Sequence, residues 1–180
     1  MPGKYSFGVD IGGTAVKIGL FDTSGNLFYK ESMVTDISEN GESIIPGIAE
    51  RINDILKSKN IPASLVKGIG LCIPGPVLEC GMVDFCPNIG WRAFDAGETL
   101  SEMVGIPVRA GNDAALAAVG EKWKGNARGF SDFVMVTLGT GVGGGIFLGG
   151  RLFTGMFGAA GEIGHMTVNP FETESCRCGK

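Results

Sequence analysis

Residues 5–21 read Tyr5-Ser6-Phe7-Gly8-Val9-Asp10-Ile11-Gly12-Gly13-Thr14-Ala15-Val16-Lys17-Ile18-Gly19-Leu20-Phe21. Tyr5 to Ile11 predicts a strand, Gly12-Gly13-Thr14 a tight turn, and Ala15 to Phe21 the returning antiparallel strand. The glycines let backbone N–H groups of the turn approach a phosphate, the Thr14 hydroxyl can donate to an oxygen, and Lys17 adds positive charge. Asp10, at the end of a buried strand, is placed to hold a magnesium ion through water, because magnesium keeps several of its waters. Taken alone, the stretch also fits an ordinary glycine hairpin with a carboxylate at the strand end.

Outward from this hairpin, Asp22-Thr23-Ser24-Gly25 is a second turn, and Leu27 to about Met33 completes an antiparallel three-strand meander. In Glu42 to Lys57 the residues Ile44, Ile45, Ile48, Ala49, Ile52, Ile55 and Leu56 recur at helical spacing, so a helix should cover one sheet face, with Pro62 closing it off. Val66 to Ile73 is a buried strand stopped by Pro74-Gly75-Pro76, and Val77 to Trp91 is expected as a loop forming a substrate wall. A helix over Asp95 to Val104, a brief strand at Val108 to Ala110 and a helix over Asp113 to Lys124 follow. The order is β-β-β-α-β-α-β-α. Phe133 to Leu138, Gly144 to Leu148 and Arg151 to Phe153 then restart the strand pattern. The polar, glycine-containing stretch Lys124 to Ser131 marks the join, dividing the chain into an N-terminal unit, 1–128, and the beginning of a second, related unit, 129–180.

A second glycine loop, Leu138-Gly139-Thr140-Gly141-Val142-Gly143-Gly144-Gly145, lies between two predicted strands. It contains a formal G-x-G-x-x-G, but that fingerprint must open a helix, and Ile146-Phe147-Leu148 continues as a strand. No G-x-x-x-x-G-K-[ST] occurs, which excludes a P-loop. Two glycine hairpins facing each other across a cleft would instead clamp a triphosphate, with Gly12, Gly13, Thr14, Lys17, Gly139, Thr140, Gly141 and Gly143 as the contacts. Between them, Asn112 follows a strand and Asp113 sits near a helix N-terminus, a position that exposes a carboxylate at the cleft; Asp113 also fits a plain helix cap, and the two readings are compatible. In Gly158 to Met166, His165 is the sole histidine, and Cys176 and Cys178 follow it. Taken singly, His165 also fits a hydrogen-bonded core or surface residue and Cys176-x-Cys178 free thiols; together, one imidazole and two thiolates are three ligands of a tetrahedral zinc site that requires a fourth, and no later cysteine supplies it.

The bulk numbers narrow the class. With 180 residues the chain can bury one substantial core, or one domain plus the start of another, and 44% apolar with 19% charged residues is a folding composition. Thirty-one residues are glycine, more than twice the usual share of about 7%. A net charge of −4 without like-charge runs argues against a nucleic-acid surface or an anionic membrane. The first residues, Met1-Pro2-Gly3-Lys4, lack a signal-peptide core, so a cytoplasmic location is expected. Cys72, Cys80 and Cys86 show no ligand spacing and are expected as packed or incidental thiols.

With these residues in view, the chain resembles the ROK family of sugar kinases and repressors, and within it the glucokinase-like kinases. The match runs through Asp10-Ile11-Gly12-Gly13-Thr14 with Lys17, Pro74-Gly75-Pro76, Pro87-Asn88 with Trp91, Asn112-Asp113-Ala114, Leu138 to Gly145, Gly161-Glu162-Ile163-Gly164-His165 and Cys176-x-Cys178-Gly179. The resemblance implies an α/β fold of the actin-like ATPase, hexokinase type: two ribonuclease-H-like halves around a cleft, the first complete here and the second only begun. It implies ATP and Mg2+ as cofactors, both glycine loops on the ATP phosphates, and Asp113 as catalytic base. Asn112, Asp113, Glu162 and His165 would hold sugar hydroxyls, with Asn88 a further contact, and His165, Cys176 and Cys178 would ligate a structural Zn2+. The implied reaction is ATP-dependent phosphorylation of a hexose, glucose first, with fructose, allose, N-acetylglucosamine or N-acetylmannosamine as alternatives. Family members continue the zinc motif with another cysteine and a sugar-binding glutamate, so the chain is expected to be truncated within that motif, which leaves an inactive binding module as a further reading. Partners are a sugar and ATP, with neither nucleic acid nor membrane, and a homodimer when full length. Family repressors carry a helix-turn-helix ahead of the kinase-like part; here the first strand starts at about Tyr5, so DNA binding is not expected.

Overall fold

The computed structural model describes residues 3–78, 80–139 and 141–174. Strands β1 (Tyr5–Ile11), β2 (Ala15–Asp22) and β3 (Leu27–Val34) form the expected meander. Alternation dictates its two faces: Phe7, Val9, Ile11, Val16, Ile18 and Leu20 are buried on one, leaving Asp10 and Lys17 on the other. The β2–β3 turn is organised by Asp22, whose carboxylate accepts from the Ser24 and Asn26 amides at 2.9 Å each and from Asn26 Nδ2 at 2.8 Å.

Helix α1 (Ile44–Ser58) buries the seven apolar residues picked out by their spacing. It starts two residues later than Glu42, because the preceding Glu39-Asn40-Gly41 is left-handed and Ser43 turns its hydroxyl to Asp36 instead of capping. Its end is set by Asn60 rather than by Pro62. Asn60 takes φ 53, its N–H reaches the Lys57 carbonyl, and the Ile61 N–H reaches Leu56, with both apolar partners buried. This is a Schellman closure.

Strand β4 (Val66–Ile73) runs parallel to β1, and β7 (Val108–Asn112) parallel to β4. Between them lie β5 (Met82–Val83), β6 (Phe94–Asp95) and helix α2 (Ala96–Val104). The first sheet has the order β3-β2-β1-β4-β7. Asp95 caps α2 by accepting from the Glu98 amide at 2.7 Å, and Gly105 ends it at φ 67. The stretch expected as a substrate wall contributes largely to the core: Val77, Val83, Cys86, Ile89 and Trp91 are buried, and Asp84, Phe85, Pro87 and Asn88 are exposed. The reason is the small β5–β6 ladder together with the Cys86–Trp91 bridge, which pull the loop inward.

Helix α3 (Asp113–Lys124) follows β7 directly, and β8 (Phe133–Leu138), β9 (Val142–Leu148) and β10 (Arg151–Phe153) form a second sheet in the order β10-β9-β8. Strand β9 begins two residues before the expected Gly144. Gly149 and Gly150, at φ 57 and 77, supply the two left-handed residues of the tight β9–β10 hairpin. Helix α3 packs on β9 through a small-residue contact. A Cβ on Gly143 would meet the Ala114 Cβ at 2.9 Å, and one on Gly145 would run into the Ala118 Cβ and meet the Ala114 carbonyl at 3.0 Å.

Candidate active site

Three parallel strands, β1, β4 and β7, end on the same side of the first sheet, where ligands of such sheets commonly lie. The pairing register sets Lys17, Asp10, Cys72 and Gly111 side by side across β2, β1, β4 and β7. Lys17 Nζ lies 3.3 Å from Asp10 Oδ2, and both side chains keep solvent contact. Beyond Asp10 the turn closes through the Gly12 N–H to the Ala15 carbonyl at 3.0 Å. A Cβ on Gly12 would meet that same carbonyl at 2.9 Å, whereas Gly13 faces open space and Thr14 is exposed. The turn thus has the exposure expected of a phosphate-facing loop.

At the end of β7, Asn112 does the capping. Its Oδ1 accepts from the Ala115 amide at 3.0 Å, and its Nδ2 donates to the Gly75 carbonyl at 3.2 Å, tying the helix start to the Pro74-Gly75-Pro76 corner. Asp113 is therefore not the helix cap. Its Oδ1 accepts from the adjacent Ala114 amide at 2.7 Å, and its own backbone N–H also interacts with the carboxylate. Asp113 is partly buried, and that burial, reinforced by the charge of Asp10, pushes its pKa above the usual carboxylate value while the Ala114 hydrogen bond pulls the other way. Cys72 shares this space: burial pushes its thiol up to about 12, with Asp10 and Asp113 both adding to the effect. Reading the sequence alone gave Cys72 no role. The signal was its place on the outward alternation of β4, two residues before Pro74.

The second hairpin turns at Gly139, whose N–H donates to the Gly141 carbonyl at 2.9 Å, and Cβ atoms on either glycine would meet nothing within 4 Å. Thr140 lies outside the described residues. Gly143, by contrast, is packed against Thr137 and Ala114. The following segment is seated backbone to backbone on β9: a Cβ on Gly161 would run into the Gly144 carbonyl, and one on Gly164 into that of Val142. Close approach of this kind is what those glycines permit. On this segment His165 Nε2 lies 3.4 Å from Glu162 Oε2.

A cleft of about 160 Å³ between the two sheets is lined by Asn112, Glu162, Gly111, Val77, Phe153 and neighbouring residues. Among the expected sugar contacts it brings together Asn112 and Glu162. Asp113 and His165 do not line it, and Asn88 sits on the exposed part of the 84–91 loop. For zinc, Cys176 and Cys178 lie outside the described residues, and among the described residues no group of three histidine, cysteine or acidic side chains could hold a metal. Among the described residues, no helix is long and apolar enough to cross a membrane. A further residue at the site, unremarked in the sequence, is Thr35, which is buried and donates its hydroxyl to the Gly12 carbonyl at 2.6 Å.

The model of the ROK family matches residues 6–180. A glucokinase of Halalkalibacterium halodurans is 40% identical over all of this chain and 55% of its own length. A xylose repressor of Caldicellulosiruptor bescii is 32% identical over 96% of this chain and 43% of its own. Among solved structures, a ROK family glucokinase from Streptomyces griseus in complex with glucose and AMPPNP superposes with a TM-score of 0.80 at 35% identity, covering 98% of this chain and 54% of that one. A ROK hexokinase from Thermus thermophilus also gives 0.80, at 36% identity. The fold is thus the actin-like ATPase α/β fold implied by the resemblance. The chain spans about half the length of the curated relatives it matches.

Proposed function

Because the chain belongs to the ROK family, we propose that it is the front part of an ATP-dependent sugar kinase that transfers the γ-phosphoryl group of ATP to a hexose hydroxyl, glucose first. The observation that carries this reading is that Asp10, near the end of β1, and Asp113, directly after β7, lie at the same end of the parallel strands beside an exposed glycine turn, near enough that the charge of Asp10 adds to burial in shifting the Asp113 carboxyl up. In the transfer the sugar hydroxyl oxygen attacks the γ-phosphorus, the bond to the β–γ bridging oxygen breaks, ADP leaves, and Asp113 takes the hydroxyl proton. Gly12 to Thr14 and Lys17 hold phosphate oxygens from one wall and Gly139 to Gly141 from the other; Gly143, packed against Thr137 and Ala114, is a packing position instead. Asn88, Asn112, Glu162 and His165 orient the sugar.

Asp10 offers an exposed carboxylate oxygen beside the turn, which suits a hard cation, and magnesium held there would offset phosphate charge. The zinc assignment rests on His165, Cys176 and Cys178 as a structural set, and no step depends on it. The units 1–128 and 129–180, a cytoplasmic location and a homodimer when full length belong to the same proposal. A coupled ADP-release assay on the complete gene product, run across glucose, fructose, allose, N-acetylglucosamine and N-acetylmannosamine, tests it. Sugar-dependent ADP release with glucose preferred is expected; no release with any of them overturns it.

A further inference from the structure

Glu39, Asn40 and Gly41 have φ values of 49, 57 and 70, three consecutive residues in the left-handed region. Only glycine occupies that region without strain, so such a run persists where its surroundings dictate it. The surroundings here are the loop that carries Asn88. Trp91 is buried and donates Nε1–H to the Gly41 carbonyl at 3.0 Å. A Cβ on Gly41 would meet the Ile89 carbonyl at 2.5 Å, and one on Gly90, itself at φ 84, would meet Asn40 Cα at 2.8 Å. The two backbones touch with no room for a side chain between them.

The other end of the same segment is fastened to the phosphate-facing turn. Thr35 is the only buried polar side chain among the described residues. Its hydroxyl donates to the Gly12 carbonyl at 2.6 Å and its amide to the Thr14 carbonyl at 3.0 Å. Between the two ends, the Asp36 carboxylate accepts from the Ser38 amide at 3.0 Å, the Ser38 hydroxyl at 2.5 Å and the Ser43 hydroxyl at 3.1 Å. These bonds hold its pKa below the usual carboxylate value.

We infer that residues 35–43 are a strap coupling the Gly12–Thr14 turn to the Pro87–Trp91 loop, with Thr35 and Trp91 as its positioning residues. The strap fixes the spacing between the proposed phosphate and sugar contacts of the first unit. Ordering one loop by a ligand then reduces the entropy lost when the other is ordered, so ATP and sugar help each other to bind. The identity of the ligands rests on the kinase reading; the mechanical link does not.

Amide hydrogen exchange on the complete gene product, in Trp91→Phe, Thr35→Val and Thr35→Ser, reads the link directly. Trp91→Phe should speed exchange of the Gly12 amide, and Thr35→Val that of the Gly90 and Trp91 amides. The expected factor is about tenfold, that of one hydrogen bond of average strength. Thr35→Ser, which keeps the hydroxyl, should restore the wild-type rates. A rise confined to each variant's own neighbours, or an equal rise at Leu71 and Val136, overturns the strap. Kinetics then separate the two proposals. Trp91→Phe should raise KM for ATP as well as for the sugar; a change in the sugar KM alone also overturns the strap. If the wild-type protein shows no sugar-dependent turnover but the remote amides respond, the kinase reading fails and the strap stands.

Discussion

Replacing Gly145 by alanine, against Gly139 by alanine as its counterpart, should separate the glycines of one run into two kinds. At Gly145 the added methyl runs into Ala118 Cβ and meets the Ala114 carbonyl at 3.0 Å, so β9 must move off α3. Overpacking of this sort costs about 1–3 kcal/mol, and an alanine regains about 0.4–1 kcal/mol by restricting the unfolded chain, a net span of about 0–2.6 kcal/mol whose central part is a loss of about 1–2 kcal/mol. For a chain of this size that lowers the melting temperature by about 2–8 °C. At Gly139 the methyl meets nothing within 4 Å, and the backbone is not left-handed. There only the unfolded-chain term remains, so Gly139→Ala should melt at or slightly above the wild-type temperature while weakening ATP binding. Calorimetric melting of both variants, with titration of a non-hydrolysable ATP analogue, checks the pair. Equal melting temperatures for Gly145→Ala and wild type, or a comparable loss in Gly139→Ala, would refute the division.

Asp113→Asn should lower turnover about 10²-fold or more, and near-normal turnover would rule out Asp113 as the base. The raised pKa of Asp113 means the folded protein holds this proton more tightly than the unfolded chain does. Its contribution to stability is therefore greatest below the usual carboxylate range and declines as pH rises through the range to the folded pKa. The asparagine variant should accordingly melt no lower than wild type near neutral pH and lose that relative advantage in acid, as melts at both pH values would show. For the same reason, the acid limb of wild-type turnover should lie above that of an ordinary carboxylate. Lys17→Met should raise KM for ATP at least about tenfold. It should barely change stability, since its pair with Asp10 is solvent-exposed. Alkylation of the folded protein near pH 8 should modify exposed Cys80 and spare Cys72 and Cys86, whose thiols burial pushes up to about 12 and about 11. Peptide mass spectrometry reads this, and fast labelling of Cys72 would contradict its place between the carboxylates.

The sequence by itself determined the longer strands and helices and their order, though not the short β5 and β6, because alternation in Phe7, Val9 and Ile11 and helical spacing in Ile44 to Leu56 are local patterns with a single burial solution each. It also located Asp10 and Asp113 at the ends of elements, since glycine and proline mark where strands stop. What tertiary structure alone decided depends on residues far apart in the chain. Asn112 became the cap and Asp113 kept a carboxylate with local backbone partners because Gly75 approaches β7 across the sheet. Gly143 and Gly145 became packing positions because α3 lies on them, although their run is continuous with the open Gly139 and Gly141. The loop to Trp91 turned inward, and Glu39 and Asn40 took left-handed backbone, because an indole 50 residues away needs the Gly41 carbonyl. Such choices follow from which surfaces meet once the chain has folded, and no stretch of neighbouring residues encodes them.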